Sequence, residues 1–271
     1  MNVKRVLTAL IGFPIVIVLL VFGNKYIVDI IMALIAIISM NEYIKCVSKK
    51  AKIISWISYL SVATIALIHI IPVSIIEICL SFGIPVLLFI LFLHVIITNM
   101  KITFEQITYT LMGICYIFGF IVFIPLIYGT EGNISGKLLV WYVLGSSWGT
   151  DVFAYIIGKR IGKTKFSKVS PNKSIEGCIA GILGTIIINL SLTFIFNNWM
   201  GTEISYLTIG IISVVLSFVG QVGDFSASVI KRSFEIKDFS ELFPGHGGMI
   251  DRIDSVMYIA PFAYLLLTNC L

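Results

Sequence analysis

Residues 221–255 read QVGDFSASVIKRSFEIKDFSELFPGHGGMIDRIDS. The stretch is polar, charged and rich in glycine, and it divides two apolar runs. It carries the carboxylates Asp224, Asp251 and Asp254, the cations Lys231, Arg232, Lys237 and Arg252, and the turn Gly245-His246-Gly247-Gly248. On helical spacing Asp224, Ser228 and Lys231 share one face, and Asp251 and Asp254 share another. A helix–loop–helix that folds back on itself brings Asp224 opposite Asp251 and Asp254. Two greasy helices meeting at polar ends is therefore the unit around which the chain is built.

Composition sets the surroundings of that unit. The chain has 271 residues, of which 58% are hydrophobic and 12% charged, and its mean hydropathy is +1.04. Soluble domains carry about 25% charged residues, and a soluble protein this apolar would present large sticky patches to water. The expected fold class is all-α: a polytopic integral membrane protein with no hydrophilic stretch long enough to form a separate domain. Apolar runs long enough to cross a bilayer, about 20 residues each, fall at residues 6–22, 26–44, 53–71, 75–98, 107–128, 138–157, 178–196, 204–230 and about 249–268. Nine transmembrane helices are expected, with Pro72 closing the third, Pro85 kinking the fourth and Pro125 inside the fifth. The first run is read as a retained helix, because it exceeds a typical signal core and Val21-Phe22-Gly23 lacks a small-residue cleavage pattern. Residues 1–136 then hold helices one to five. Residues 137–271 hold helices six to nine and the catalytic site.

Charge placement orients this arrangement. With the N-terminus in the cytoplasm, seventeen of the nineteen lysines and arginines fall on inside segments, and only Lys25 and Lys137 fall outside. That bias follows the positive-inside rule. It puts the C-terminus outside and places the two richest loops, 158–177 and 231–248, on one cytoplasmic face. The expected location is a cell membrane crossed many times, the bacterial inner membrane. The five cysteines show no paired metal-ligand spacing and read as small packing residues. No low-complexity tract or internal repeat is found.

An ionised side chain inside a bilayer costs roughly 2.5–3.5 kcal/mol on insertion scales, so intramembrane acids mark function by default. Asp29 falls near the outer interface and reads as a tolerated interfacial residue. His69 and His94 lie in apolar runs without acidic neighbours and read as structural. Asp224, Asp251 and Asp254 offer only oxygen, which suits a hard cation such as magnesium. The alternative is that these acids simply pair with Lys231, Arg232 and Arg252, and spacing leaves both readings open. Gly247 and Gly248 let the backbone approach a ligand closely, and the helix that starts beside them can face an anion. His246 can bind phosphate, move a proton or orient the loop. Six cations crowd loop 158–177, where they can attract anionic headgroups or a phosphate-rich substrate. Lys173 stands nearest a helix entry, and Asp151 lies on the helix before the loop.

Two sets of residues carry a resemblance. Ser228, Lys231-Arg232, Lys237-Asp238, Ser240, Phe243-Pro244-Gly245-His246-Gly247-Gly248, Asp251-Arg252 and Asp254 resemble the signature of the phosphatidate cytidylyltransferases, also called CDP-diacylglycerol synthases. Upstream, Trp148, Asp151, Ala154-Tyr155, Gly158-Lys159-Arg160, Gly162-Lys163 and Ser170-Pro171-Asn172-Lys173-Ser174-Ile175-Glu176-Gly177 are similar to a second segment of that family. The resemblance runs from Trp148 to the end. Ala227 stands where the family has glutamate, and Asn172, Ser174 and Ile175 stand for lysine, threonine and tryptophan.

The resemblance implies transfer of a cytidylyl group from CTP to phosphatidate of the inner leaflet, giving CDP-diacylglycerol and pyrophosphate in phospholipid biosynthesis. It implies Mg2+, with room for a second cation such as K+, and metal ligation by Asp224, Asp251 and Asp254. Asp224, Asp251, Lys231 and Arg232 would be catalytic. Lys173, Ser228, His246, Gly247, Gly248, Arg252 and Asp151 would bind substrate. The partners are membrane lipids and a homodimer is compatible, whereas no nucleic acid is expected. The rival readings are another membrane enzyme that uses CTP or a lipid phosphate, such as a polyprenol kinase, and an ion-coupled transporter. Transporters often show inverted repeats, which are not found here.

Overall fold

The computed structural model describes residues 17–165, 170, 173–243, 245 and 247–271. The expected first span, 6–22, lies mostly outside the described residues, of which 17–22 are helical. The helices that follow are α1 (Lys25–Val47), α2 (Ser55–Ala63, extended by a 3-10 turn Thr64–Leu67), α3 (Val73–Ile97), α4 (Phe104–Ile121), α5 (Phe123–Tyr128), α6 (Gly136–Ile161), α7 (Ile175–Met200), α8 (Tyr206–Ser233) and α9 (Ile250–Cys270). No β-strand forms among the described residues, so the chain is all-helical.

Local chemistry fixes four of the nine helix starts. Asn24 accepts from Ile27 N–H at 2.9 Å, Thr103 from Gln106 N–H at 3.3 Å, Ser174 from Gly177 N–H at 3.1 Å and Ser205 from Thr208 N–H at 3.3 Å. Each side-chain oxygen satisfies a backbone donor that has no partner within its own helix. α9 has no such cap of its own. Its cap comes from elsewhere in the chain.

Among the described residues, five helical segments are long and apolar enough to cross a membrane: Lys25–Val47, Phe104–Tyr128, Ile175–Met200, Tyr206–Ser233 and Ile250–Cys270. Val73–Cys79 and Ser81–Ile97 meet at a bend of 59° and make a sixth span when taken together. Sequence reading expects nine, of which the first lies mostly outside the described residues; for two others the difference has physical causes. Ser55–Leu67 is too short for a straight crossing. Gly136–Ile161 is long enough but carries the polar run Ser146-Ser147-Trp148-Gly149-Thr150-Asp151.

Hydrogen bonds sort the helix ends into two groups. At one end Tyr128 Oη donates to Gly23 O at 2.7 Å and Lys137 Nζ donates to the same oxygen at 2.9 Å. The start of α1, the end of α5 and the start of α6 therefore lie together. His69 joins them, with Nδ1 2.7 Å from Asp29 Oδ1 and its N–H donating to Oδ2 at 3.2 Å. This corrects one expectation: His69 has an acidic neighbour, Asp29, whose side chain is fully buried. The cause is tertiary, since α2 returns antiparallel to α1. At the opposite end Lys50 Nζ donates to Ser233 O at 2.7 Å, and Ile54 N–H donates to Thr110 Oγ1 at 3.1 Å.

α6, α7 and α8 pack closely through small residues. A Cβ on Gly158 would lie 3.2 Å from Gly177 Cα, so the backbones nearly touch, as small residues allow between membrane helices. Thr150 Oγ1 is 2.9 Å from Thr185 Oγ1 and 2.7 Å from Ser217 Oγ, and Asn189 Nδ2 donates to Ser146 and Ser213 at 2.9 Å each. These bonds hold the three helices in register and place Asp151, Lys173 and Asp224 at one end.

Candidate active site

α8 and α9 run antiparallel, and their closest approach fixes the site. A Cβ on Gly223 would lie 2.6 Å from Asp254 O, so Asp224 stands level with Asp254. Two turns further along α8, the long Lys231 side chain reaches Asp251, one turn earlier on α9. The two helices thus make two tiers rather than one cluster of three acids.

In the first tier the Lys173 ammonium pairs with Asp224 Oδ2, and both side chains are 28% exposed. Lys173 Nζ also lies 4.5 Å from the centre of the Phe225 ring, where the ring face favours a cation. Asp151 is exposed on α6, within electrostatic reach of Asp224, Lys173 and Arg252. Arg252 is exposed on α9 and Ser228 is half-buried one turn beyond Asp224. Asp254 is buried and accepts from Ser255 N–H at 2.8 Å. It feels the charges of Asp224, Asp151 and Lys231. Three acids and two cations thus share one partly open polar hollow.

The second tier is closed. Lys231 Nζ donates to Asp251 Oδ1 at 2.5 Å, with side-chain exposures of 13% and 3%. The other oxygen, Oδ2, accepts from Phe239 N–H and Gly248 N–H at 2.9 Å each. Gly247 has φ +83°, and a Cβ there would meet Asp251 Oδ2 at 2.8 Å. Asp251 is the post around which the glycine turn is wound. Arg232 is exposed and donates to Ile236 O at 3.5 Å, along the loop rather than into the hollow. His246 lies outside the described residues.

Sequence reasoning missed the residue that completes this turn. Glu42, on α1, is 3% exposed. Its Oε1 accepts from Ser240 Oγ at 2.6 Å and Met249 N–H at 2.8 Å, and its Oε2 accepts from Ile250 N–H at 2.9 Å. It is the missing cap of α9, delivered by a helix about two hundred residues away in sequence. A Cβ on Gly248 would meet the Glu42 carboxylate at 2.6 Å. The anion at the start of α9 is therefore a side chain of the protein, and Gly248 makes room for it. The available signal was an acid inside the apolar run 26–44, the feature that singled out the other intramembrane acids. A second contribution comes from α4. Tyr116 is 2% exposed and its hydroxyl closes no hydrogen bond, although it lies beside Ser226 and within reach of Asp254. Ser226 gives its own proton to Gly223 O at 2.6 Å.

The fit to a divalent cation is divided. Asp151, Asp224 and Asp254 offer hard oxygens, and their mutual repulsion is offset chiefly by one ammonium and one guanidinium, a setting that suits a cation with higher charge. Among the described residues, however, no three acidic, histidine or cysteine side chains converge on one ion position. The lysines take the places beside Asp224 and Asp251 that a metal would occupy, and both oxygens of Asp251 are already engaged.

Comparison with known proteins adds a name to this geometry. The sequence profile of the cytidylyltransferase family matches residues 3–270. The phosphatidate cytidylyltransferase of Bacillus subtilis (strain 168) is 40% identical over 133 residues, 49% of this chain and 48% of that protein. That of Staphylococcus haemolyticus (strain JCSC1435) is 33% identical over 181 residues, 66% of each chain. That of Staphylococcus epidermidis (strain RP62A) is 33% identical over 186 residues, 68% of each. The chain thus spans from about half to about two thirds of the length of these relatives.

Proposed function

The chain belongs to the cytidylyltransferase family, and on that premise we propose that it is a phosphatidate cytidylyltransferase, joining CTP and phosphatidate to form CDP-diacylglycerol and pyrophosphate. The observation that carries the reading is the Lys173–Asp224 pair. It joins the polar loop before α7 to α8, fifty-one residues apart in sequence, in a hollow at one end of apolar helices. A reaction between a water-soluble nucleotide and a lipid needs such a place, wet on one side and bordered by lipid on the other.

Transfer forms a bond between an oxygen of the lipid phosphate and the α-phosphorus of CTP. The bond from that phosphorus to the oxygen bridging the β-phosphate breaks, and pyrophosphate leaves with the electron pair. The nucleophile is already anionic at neutral pH, so the protein's work is positioning and charge neutralisation. Lys173 and Arg252, on the open side, take the triphosphate oxygens. Lys173 leaves Asp224 to do so. Lys231 stays on Asp251 and holds the turn. Magnesium, which we assign to Asp224 and Asp254, would neutralise triphosphate charge when bound.

For topology we propose nine crossings with the N-terminus cytoplasmic and the C-terminus outside, in the cytoplasmic membrane of a bacterium. The charge distribution supports this, as does the sorting of helix ends: Asp29, His69, Tyr128 and Lys137 fall at one end, and Glu42, Lys50, Ser233 and Asp251 at the other. The short α2 and the polar α6 must then cross. Labelling of single cysteines at Lys137 and Lys237 from each side of sealed vesicles tests the orientation. Labelling of both from one side would end it.

The reaction itself is tested on purified protein in lipid nanodiscs. Pyrophosphate release is expected only with CTP and phosphatidate together, and Asp224→Asn is expected to lower it at least about a hundredfold, the scale of losing one positioned electrostatic partner. Release of CDP instead of pyrophosphate would favour a kinase. Wild-type turnover by Asp224→Asn would remove that residue from the mechanism.

A further inference from the structure

A cavity lies on the face of α8 turned away from the hollow. It has a volume of about 290 Å³ and is lined by Tyr43, Lys50, Tyr109, Met112, Val229, Ile230, Ser233 and Phe234. Asp224 and Lys231 are seven residues apart and share one side of α8. Val229 and Ser233 lie about 160° round the helix from them, at 100° per residue. The cavity is therefore separate from the hollow, although both open at the same end of the molecule.

Its construction is layered. The walls are apolar: Tyr43 is 2% exposed and Phe234 7% exposed. The mouth is formed by Met112 and Val229, which are 49% and 48% exposed on α4 and α8, two of the segments apolar enough to cross a membrane. Met112 stands about 12 Å along the axis of α4 from its start, so the mouth reaches well below the helix ends. The roof is a cation. Lys50 Nζ donates to Ser233 O at 2.7 Å and lies 5.6 Å from the Phe234 ring centre. That bond uses one of three ammonium protons, which holds the group in place with two donors to spare. Lys45, Lys49 and Lys52 cluster around it in sequence, and none of these four lysines forms an ion pair among the described residues.

We propose that this cavity is a binding site for an anionic glycerophospholipid, distinct from the substrate site. One acyl chain enters between Met112 and Val229, and the phosphodiester rests on Lys50. The order of the site, carbon below and fixed positive charge above, matches the order of such a lipid in its leaflet. An ammonium held in advance loses little freedom on binding. A zwitterionic lipid can fill the apolar part but brings its own cation towards the lysines. The proposal does not depend on which reaction the hollow performs.

The test is lipid retention, read by native mass spectrometry of the full chain released from nanodiscs of phosphatidylcholine containing a minor fraction of phosphatidylglycerol. Phosphatidylglycerol is the probe so that retention of phosphatidate in the hollow is not scored. One phosphatidylglycerol retained in preference to phosphatidylcholine is expected. Lys50→Gln should lower that preference about fivefold, the size of one lysine contact at a membrane surface. Val229→Trp, which fills the mouth from an exposed position, should abolish retention, while Lys101→Gln should leave it unchanged. Equal retention of the two lipids would make the cavity a passive groove and overturn the proposal. So would full retention by Lys50→Gln, or an equal loss in Lys101→Gln, which would mean diffuse surface charge alone.

Discussion

Two lysine–aspartate pairs connect the loops and helices of this site, and they are built for opposite purposes. Lys173–Asp224 is half-open and ties the loop before α7 to α8. Lys231–Asp251 is closed, and Asp251 satisfies two backbone donors besides the lysine. A pair in contact with water has a small net worth, about 0–1 kcal/mol, and exchanges partners easily. A buried pair that loses one member leaves a stranded charge, at about 3–5 kcal/mol. The same two residue types therefore serve as a replaceable contact in one tier and as a fixed post in the other. Only the replaceable one can hand its ammonium to a phosphate.

The largest expected effect is at the post. Asp251→Asn leaves the Lys231 ammonium buried without its counter-ion and gives Asp251's backbone donors a weaker acceptor. Thermal unfolding in detergent should show a loss of about 3–5 kcal/mol, with activity falling in step with the folded fraction. Full stability with no activity would instead place Asp251 in direct contact with the reaction and dissolve the contrast between the tiers.

Glu42 should come next. Its carboxylate accepts three hydrogen bonds, two from the start of α9. Hydrogen bonds to a charged group contribute about 1.5–3 kcal/mol each at most, and less in sum because they share a carboxylate. Glu42→Gln, which keeps the shape but turns one acceptor into a donor facing a backbone N–H, should cost about 2 kcal/mol. It should also raise the KM for CTP more than it lowers kcat, because the turn is displaced rather than removed. Gly248→Ala should reproduce this phenotype, since the added methyl meets the same carboxylate at 2.6 Å. A Gly248→Ala enzyme with wild-type stability and KM would show that Glu42 does not position the turn.

What could be read in advance was whatever the chain states locally. The helical spacing of Asp224 with Lys231, the glycine turn before Asp251 and the cations of loop 158–177 are sequence-local, and Lys173, Asp224, Lys231 and Asp251 do pair as two lysine–aspartate contacts. Partner choice was not local. Spacing offered Asp251 as readily to a metal as to a lysine, and only the antiparallel packing of α8 against α9 brings the Lys231 ammonium to it. Glu42 and Tyr116 belong to helices assigned to the half without the site, so no motif reading reaches them. His69 was similarly placed by the return of α2 along α1. Among the described residues the span count differed where composition and length disagree: α6 is long but polar, and α2 is apolar but short.

The smallest expected effect on stability falls on the open pair, and it should be the most informative. Lys173→Gln removes a contact that water already shares, so unfolding should move by less than about 1 kcal/mol. Its loss from the triphosphate should nevertheless raise the KM for CTP about tenfold or more, equivalent to about 1.4 kcal/mol. Lys173→Arg keeps the charge and the position over Phe225, but a planar fork grips Asp224 in two places where an ammonium grips it once. Lys173→Arg should therefore be at least as stable as the parent and slower, because the cation is harder to release. A fast Lys173→Arg enzyme would mean that the pair never opens during turnover, and the two tiers would then differ in exposure but not in role.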